Sequence, residues 1–201
     1  ISYTVDLSAP AAPIGELTLR QRNTAGGASG CDQRRGFNEI VNAKRYEDLM
    51  AGCAWIYQRA LLPEGSQLVA SISNATPAAW LLSGQADNGA VTLEPGDAHT
   101  SALATMLVIP PGEARRTFAR YRLPAAVLSQ DEQGWHYQLT LQKQAGTPPL
   151  PATVRVRMPK SAVLLSSSMP LVRQEGQDLV FQLTLSTEQT LAVDFRPAAG
   201  Q

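Results

Sequence analysis

The sequence predicts an all-β fold, an antiparallel β-sandwich of the immunoglobulin-like type that carries one short helix. Two observations support this prediction: apolar and polar residues alternate along many short segments, and turn-forming residues separate those segments. Alternation of this kind is typical of strands that pack on one face and meet water on the other. Many such strands, at intervals of roughly 8–12 residues, favour a sandwich or a barrel.

The predicted strands can be followed along the whole chain. Alternating segments occupy residues 16–22, 54–62, 115–123, 136–143, 153–158, 179–185 and 190–195. Glycine and proline lie between these segments, for example in residues 63–65 and 110–112. Glycine permits a positive φ and proline fixes φ near the value found in turns, so we expect tight turns between the strands.

One region has helical periodicity. Its apolar positions, set among polar residues, are Phe37, Ile40, Val41, Leu49 and Met50. This spacing predicts a helix confined mainly to residues 37–51. So short a helix is marginal by itself in water, and we therefore expect it to pack on the sheets.

A weak internal repeat predicts two modules. Residues 60–68 resemble residues 156–164, because each segment is a strand ending in an apolar residue and proline, followed by a turn and another strand. We expect residues 1–125 to form a first sandwich module and residues 126–201 a smaller second one. The alternative is one continuous sandwich in which both halves use the same common strand and turn patterns.

The two cysteines of the chain are Cys31 and Cys53. Cys31 follows the glycine-rich segment 26–30, and the pair brackets a loop and the predicted helix, which favours a disulfide that ties this excursion to the sheet. Two buried free thiols are the alternative. A zinc site is not expected, because the sequence has no Cys-x-x-Cys motif and neither His99 nor His136 lies at ligand spacing.

Composition and charge exclude several classes of protein. Hydrophobic residues make up 44% of the chain, which is enough to form a buried core. Lysine plus arginine and aspartate plus glutamate number 17 each, so the formal net charge at pH 7 is zero. Neither half is basic, and nothing predicts binding to nucleic acid or to an anionic membrane. No apolar stretch is long enough to insert into a bilayer.

No motif that carries catalysis is present in the sequence. There is no Gly-x-Ser-x-Gly elbow and no phosphate-binding glycine loop. His99 lies in a turn and His136 on a strand, and we expect both to be structural. The acidic turns at residues 87–89 and 95–97 lack the regular spacing of a calcium loop. We therefore predict no enzyme activity, no cofactor and no metal site.

Aromatic side chains are the candidate ligand-binding groups. Trp55 and Tyr57 share one face of a predicted strand, and Trp135 and Tyr137 share a face of another. Such rows more often belong to the core, but an exposed row can stack on a ligand. We take Trp80, Trp135 and Tyr137 as the candidate ligand-binding residues, on the condition that two coplanar rings lie exposed in a groove.

Several segments together resemble a known family. They include Tyr-Arg-Leu-Pro at residues 121–124, and Pro-Glu-Gly-Ser at 63–66 and Gln-Lys-Gln-Ala-Gly-Thr at 142–147 are the most recognisable. Most of residues 1–165 is similar to the C-terminal extracellular region of large membrane-anchored bacterial proteins, catalogued as a domain of unknown function. The resemblance implies an upstream membrane anchor and a cell-surface location, and it implies no catalytic residues.

These observations predict a non-catalytic extracellular module of a larger bacterial cell-surface protein, which spaces, caps or docks part of that protein. The expected partners are other parts of the same membrane-anchored protein or components of the cell envelope. The chain begins at Ile1 in a strand-like segment without an initiator methionine, so we expect a fragment whose anchor lies upstream. The alternative prediction is a carbohydrate- or cell-wall-binding β-sandwich module.

Overall fold

A computed structural model describes residues 1–26, 30–34, 41–72 and 74–196, and it confirms the prediction of an all-β fold. The described strands are β1 Ser2–Asp6, β2 Ile14–Arg22, β3 Ala54–Pro63, β4 Gln67–Ile72, β5 Thr92–Pro95, β6 Thr100–Ile109, β7 Ala114–Arg122, β8 Leu128–Gln130, β9 Trp135–Leu141, β10 Leu150–Arg157, β11 Val163–Ser167, β12 Arg173–Glu175, β13 Asp178–Leu185 and β14 Gln189–Arg196.

Helix is a minor component of the described chain. The α-helix α1 spans Tyr46–Met50, inside the predicted region 37–51. Short 3-10 helices span Ala78–Trp80 and Ala125–Val127. Residues 37–40 of the predicted helix lie outside the described residues. The α1 segment begins with acidic residues in its first turn, which suits the positive end of a helix.

The strands form three sheets within the described part of the chain. The seven-stranded sheet has the order β12-β13-β10-β1-β2-β7-β4, the four-stranded sheet β11-β14-β9-β8, and the three-stranded sheet β3-β6-β5. Strand β1 pairs in parallel with β10 on one side and antiparallel with β2 on the other. The N-terminal strand therefore lies in the middle of the largest sheet.

The chain divides into two compact units, each built from more than one stretch of sequence. Unit 1 comprises Ile1–Thr18, Pro63–Val69 and Arg120–Gln201, and unit 2 comprises Leu19–Leu62 and Ala70–Ala119. Strands β1 and β8 to β14 belong wholly to unit 1, and strands β5 and β6 belong wholly to unit 2.

These units differ from the modules 1–125 and 126–201 that the internal repeat predicts. The physical reason is the parallel pairing of β1 with β10, in which Tyr3 lies opposite Val154. Strands from both halves of the sequence therefore share unit 1. Similar strand and turn patterns recur in the two halves without marking separate modules.

Unit 1 contains a β-sandwich with an apolar core, and its strand pairs are antiparallel apart from the parallel pair of β1 and β10. Phe181, next to Val154 on the seven-stranded sheet, is buried, and so are Val193 and Phe195 on the four-stranded sheet. Alternate residues of each strand point into this core because side chains along a strand alternate between faces. The pattern of alternation in the sequence thus identifies the strands correctly.

Three tyrosines lie together in the core of unit 1. The hydroxyls of Tyr3 and Tyr137 are 3.4 Å apart, and Tyr121 lies beside them. Burial raises the pKa of each of these phenols above its usual value, so all three stay protonated at neutral pH. Gly15 makes room for this cluster, since a Cβ there would lie 2.4 Å from Cε2 of Tyr121.

The opposite face of the seven-stranded sheet carries ion pairs. Arg157 Nε lies 2.7 Å from Asp178 Oδ1, and Arg155 Nη1 lies 2.9 Å from Asp178 Oδ2. Arg157, and then Arg155, hold the pKa of Asp178 below its usual value. Arg157 also lies 3.6 Å from Asp6 on β1. Charges of both signs alternate across this face, which is typical of a surface that meets water.

Unit 2 is organised around β6, the central strand of the three-stranded sheet. Residues 102–105 and 107–109 of this strand are buried, in contrast to the alternating pattern of the other strands. Continuous burial indicates that both faces of β6 are covered.

Candidate functional site

The predicted disulfide is confirmed. Cys31 and Cys53 are bonded, with their Cα atoms 5.5 Å apart, and the bond joins the segment before α1 to the start of β3. Asn23 reinforces the same region, because its Nδ2 donates to the carbonyl oxygens of Gly52 and Ile109, each at 2.9 Å. These contacts hold the beginning of β3 in unit 2.

Of the three predicted ligand-binding aromatics, Tyr137 is placed in the core. Only 3% of its surface is exposed, and its hydroxyl lies next to that of Tyr3. This burial does not meet the condition of an exposed ring, because the face of β9 that carries Tyr137 is the inner face of the sandwich. A ligand outside unit 1 cannot stack on this ring.

The other two predicted residues are half-buried. Trp135 lies opposite the buried Phe195, so it belongs to the core side of the four-stranded sheet. Trp80 ends a 3-10 helix in unit 2. The predicted groove would require two coplanar exposed rings, and Trp135 and Tyr137, which share a strand face, point towards the core of unit 1 instead.

Tyr57 is an exposed aromatic residue that the sequence singles out only as a neighbour of Trp55 on a strand. It lies on β3 with 59% of its surface exposed. Its hydroxyl lies 2.9 Å from Oε2 and 3.1 Å from Oε1 of Glu94 on β5. An exposed aromatic side chain is thus fixed at both ends, by its backbone and by its hydroxyl.

The position of Glu94 shows how the side chain of Tyr57 is oriented on the three-stranded sheet. Strand β6 separates β3 from β5, so the side chain of Tyr57 must cross β6 to reach the carboxylate. On β6, Ala102 lies opposite Glu94, and Ala104 occupies the same face two residues later. These alanines are 0% and 1% exposed although they are on the same face as Glu94. Small side chains at these positions let the tyrosine lie low across the sheet.

Two polar groups flank the ring on the same face. Arg59 lies two residues after Tyr57, and its Nη2 donates to the carbonyl oxygen of Pro95 at 3.4 Å. Thr92 Oγ1 donates to Glu94 Oε1, also at 3.4 Å. We call these four side chains, Tyr57, Arg59, Thr92 and Glu94, the tyrosine platform.

The electrostatics of the tyrosine platform keep the phenol protonated. The hydrogen bond to Glu94 raises the pKa of Tyr57 above its usual value of 10.0, and the positive charge of Arg59 opposes this only weakly. The phenol therefore remains a hydrogen-bond donor at neutral pH. Glu94 contributes one negative charge and Arg59 one positive charge, so the platform as a whole is neutral.

A second polar cluster lies on the outer face of the four-stranded sheet in unit 1. His136 Nδ1 lies 2.8 Å from Asp194 Oδ1, and its Nε2 lies 3.0 Å from Asp131 Oδ1. Nε2 has no hydrogen-bond partner of good geometry, so the second contact is an electrostatic one between the imidazole and the carboxylate. Asp131 also accepts hydrogen bonds from the backbone of Gln133 and Gly134, which closes the turn before β9.

The carboxylates of this cluster stabilise the charged form of the imidazole. Asp131, and then Asp194, raise the pKa of His136 above its usual value of 6.5. Ser166 and then His136 lower the pKa of Asp194, and His136 lowers that of Asp131. Ser166 Oγ donates to Asp194 Oδ2 and not to the imidazole. Both carboxylates therefore favour the cationic form of the imidazole, and the hydroxyl of Ser166 is bonded to the carboxylate of Asp194.

Within the described ranges, no group of three or more His, Cys, Asp and Glu residues is arranged to hold a metal ion. In the same part of the chain, the helices are all too short or too polar to cross a membrane.

Comparison with known proteins gives distant likenesses to solved structures. No protein-family model matches the chain, and no curated protein matches it. A two-domain M1 zinc metallopeptidase variant bound to L-tryptophan is similar with a TM-score of 0.40 and 15% identity. The match covers 96% of this chain and 41% of the metallopeptidase chain. An M1 zinc metallopeptidase from Deinococcus radiodurans has a TM-score of 0.39, 18% identity and coverages of 96% and 40%. This chain thus spans about two fifths of their length, and no activity is assigned from them.

Proposed function

We propose that this chain is a non-catalytic extracellular structural and interaction module of a larger bacterial cell-surface protein. Its partners are other parts of that membrane-anchored protein or components of the cell envelope. The observation that carries the proposal is the tyrosine platform, in which an exposed aromatic ring is held in place by Glu94. Ordered, exposed aromatic residues are enriched where proteins bind partners.

The ordering of Tyr57 supports a binding role better than its exposure alone. A surface tyrosine without a partner rotates freely, and binding it to another molecule costs conformational entropy. In this protein the contact with Glu94 already restricts the ring, so much less entropy remains to be lost. The platform is therefore organised before any partner arrives.

The disulfide supports the extracellular part of the proposal. Bonds such as Cys31–Cys53 form and persist in oxidising compartments and are rare in a reducing cytosol. The family resemblance of residues 1–165 favours the same location.

The surroundings of His136 support the non-catalytic part. A general base near neutral pH needs a free nitrogen beside a reacting group. Here Asp194 and Asp131 flank the two ring nitrogens and favour the protonated form. The carbohydrate-binding alternative does not rest on Trp135 and Tyr137, since their strand face points into the core.

A test of the proposal uses the natural full-length protein in living cells, with a photo-crosslinking amino acid at position 57. Tyr46 is a matched control position, because it is also an exposed tyrosine of unit 2, with 70% of its surface accessible. We expect light-dependent adducts with envelope components from position 57 and not from position 46. Blocking free thiols in intact cells should leave Cys31 and Cys53 unmodified.

Two results would contradict the proposal. One is adduct formation at position 57 that does not exceed the level at position 46. The other is a protein whose Cys31 and Cys53 are both alkylated without prior reduction, because this would place the chain in a reducing compartment.

A further inference from the structure

We propose that the tyrosine platform binds a neutral oligosaccharide chain of the cell envelope. This inference rests on the proposed function, since it names the kind of partner that the same surface takes. It is carried by the arrangement of Tyr57 between Glu94 and Arg59 on the outer face of the three-stranded sheet.

The aromatic ring provides the first half of the recognition. Tyr57 lies across β6 above Ala102 and Ala104, and more than half of its surface remains open. A pyranose ring has a face of C–H groups that packs on an aromatic ring, where apolar contact and the negative ring face both contribute. The low position of the ring leaves space above it for a flat sugar.

The polar groups beside the ring, Glu94 and Arg59, provide the second half of the recognition. A carboxylate offers about four lone-pair sites, and Glu94 accepts hydrogen bonds from the hydroxyls of Tyr57 and Thr92. The remaining sites can accept hydroxyl protons from a sugar. The guanidinium of Arg59 carries five N–H donors, one of which is used by Pro95. Acceptors and donors at the edge of an aromatic ring match the equatorial hydroxyls at the edge of a sugar.

Charge favours a neutral ligand over a charged one. Glu94 and Arg59 have opposite charges, so a strongly anionic or cationic polymer would gain at one residue and lose at the other. The chain as a whole also has a formal net charge of zero. Long-range attraction of a charged partner is therefore absent, and short-range packing and hydrogen bonds decide what binds.

Leu61 extends the platform along β3. It points to the same side as Tyr57 and Arg59, because side chains on a strand alternate, and 45% of its surface is exposed. Four residues of strand separate Leu61 from Tyr57 by about 13 Å. This length exceeds one sugar ring, so the surface suits a chain of sugars, and Leu61 offers an apolar contact for an acetamido methyl group.

The test uses the 201-residue protein and two neutral probes, the tetrasaccharides of N-acetylglucosamine and of glucose. Amide and side-chain NMR shifts are followed during titration. We expect at least one probe to bind, with the largest shifts at Tyr57, Arg59 and Glu94. Tyr57→Ala should weaken binding by at least about tenfold, as expected when a central aromatic contact is lost. Tyr46→Ala, a matched change at another exposed tyrosine of unit 2, should leave it unchanged.

Two outcomes would overturn the inference: neither tetrasaccharide binds, or binding survives Tyr57→Ala. A second variant, Glu94→Gln, guards against a folding defect at position 57. It keeps the shape of the side chain but removes the charge, and we expect weaker binding with an unchanged melting temperature. If no sugar binds while position 57 still forms adducts with an envelope protein in cells, the glycan inference fails and the interaction function stands.

Discussion

His136 lies directly opposite Asp194 on the paired strands β9 and β14, and its Nδ1 is 2.8 Å from the Oδ1 of that carboxylate. On the next strand, Ser166 lies opposite the same aspartate and donates to its second oxygen. One carboxylate therefore connects three strands on the outer face of the four-stranded sheet. The strength of the contact between His136 and Asp194 depends on the charge of the imidazole.

The first prediction concerns stability at rising pH. Because the pKa of His136 is raised on folding, its contribution to stability is complete below the unfolded value of about 6.5 and is lost as pH rises through the folded value. We expect the free energy of unfolding to decline over this window above pH 6.5. Urea titrations at several pH values measure it, and an NMR titration of the imidazole gives the folded pKa.

His136→Gln is the matched variant for this prediction. It keeps a hydrogen-bond donor near Asp194 but cannot become charged, so the decline above pH 6.5 should disappear. Equal slopes in the variant and the parent protein would show that another group is responsible. In both proteins stability should fall below about pH 3.8, because Asp178 has a lowered pKa and loses its ion pairs when protonated.

The second prediction concerns the contact between Gly15 and Tyr121. Gly15→Ala would place a Cβ 2.4 Å from a carbon of the Tyr121 ring, which is buried in a close-packed core. We expect a loss of about 1–3 kcal/mol in the free energy of unfolding, the usual range for overpacking. Chemical denaturation measures the loss.

Gly52→Ala is the control for this substitution, since a Cβ at Gly52 meets no atom within 4 Å. The two changes add the same methyl group, and only the one at Gly15 should destabilise the fold. A loss of the same size at Gly52 would show that the contact with Tyr121 is not the cause, because alanine lowers the entropy of the unfolded chain and by that effect alone stabilises the fold.

The third prediction concerns the Cys31–Cys53 disulfide. Replacing both cysteines with alanine should lower stability by about 3 kcal/mol, because the unfolded chain regains the freedom of a closed loop of this length. The measurement compares denaturation of the variant and the parent with and without a reducing agent. The reductant should weaken the parent only, and an effect on the variant as well would show that it acts elsewhere.

The fourth prediction concerns the division of the chain. A fragment of residues 126–201 lacks β1, so β10 loses its parallel partner and Tyr137 loses the hydroxyl of Tyr3. We expect this fragment to be unfolded, with poorly dispersed amide protons. A cooperative melt of the fragment alone would show an independent module and would restore the boundary predicted from the repeat.

The sequence predicts best the features that depend on residues close together in the chain. The alternation in residues 153–158 identifies β10, and the spacing of Cys31 and Cys53 around a loop identifies the disulfide, because both depend on residues near in sequence. Which face of a strand is buried depends on its partners. The alternation of Trp135 and Tyr137 therefore shows that they share a face, but it does not show that this face is the inner one.

The candidate site illustrates the same limit. Tyr57 and Glu94 lie on strands that do not pair with each other, and their contact requires alanines on the strand between them. Likewise His136 and Asp194 are 58 residues apart in the chain. No local signal connects such residues, because each contact follows from strand order and register.

The pairing of the N-terminal strand has a consequence for the time course of folding. The backbone nitrogen of Ile1 donates to the carbonyl oxygen of Pro151, 150 residues away. Strand β1 is therefore synthesised well before β10 and must wait, without this partner, until the chain between them has followed. Closing so long a loop costs entropy before its contacts are gained, which slows folding. The parallel pair of β1 and β10 therefore forms only after the residues of β10 have been synthesised.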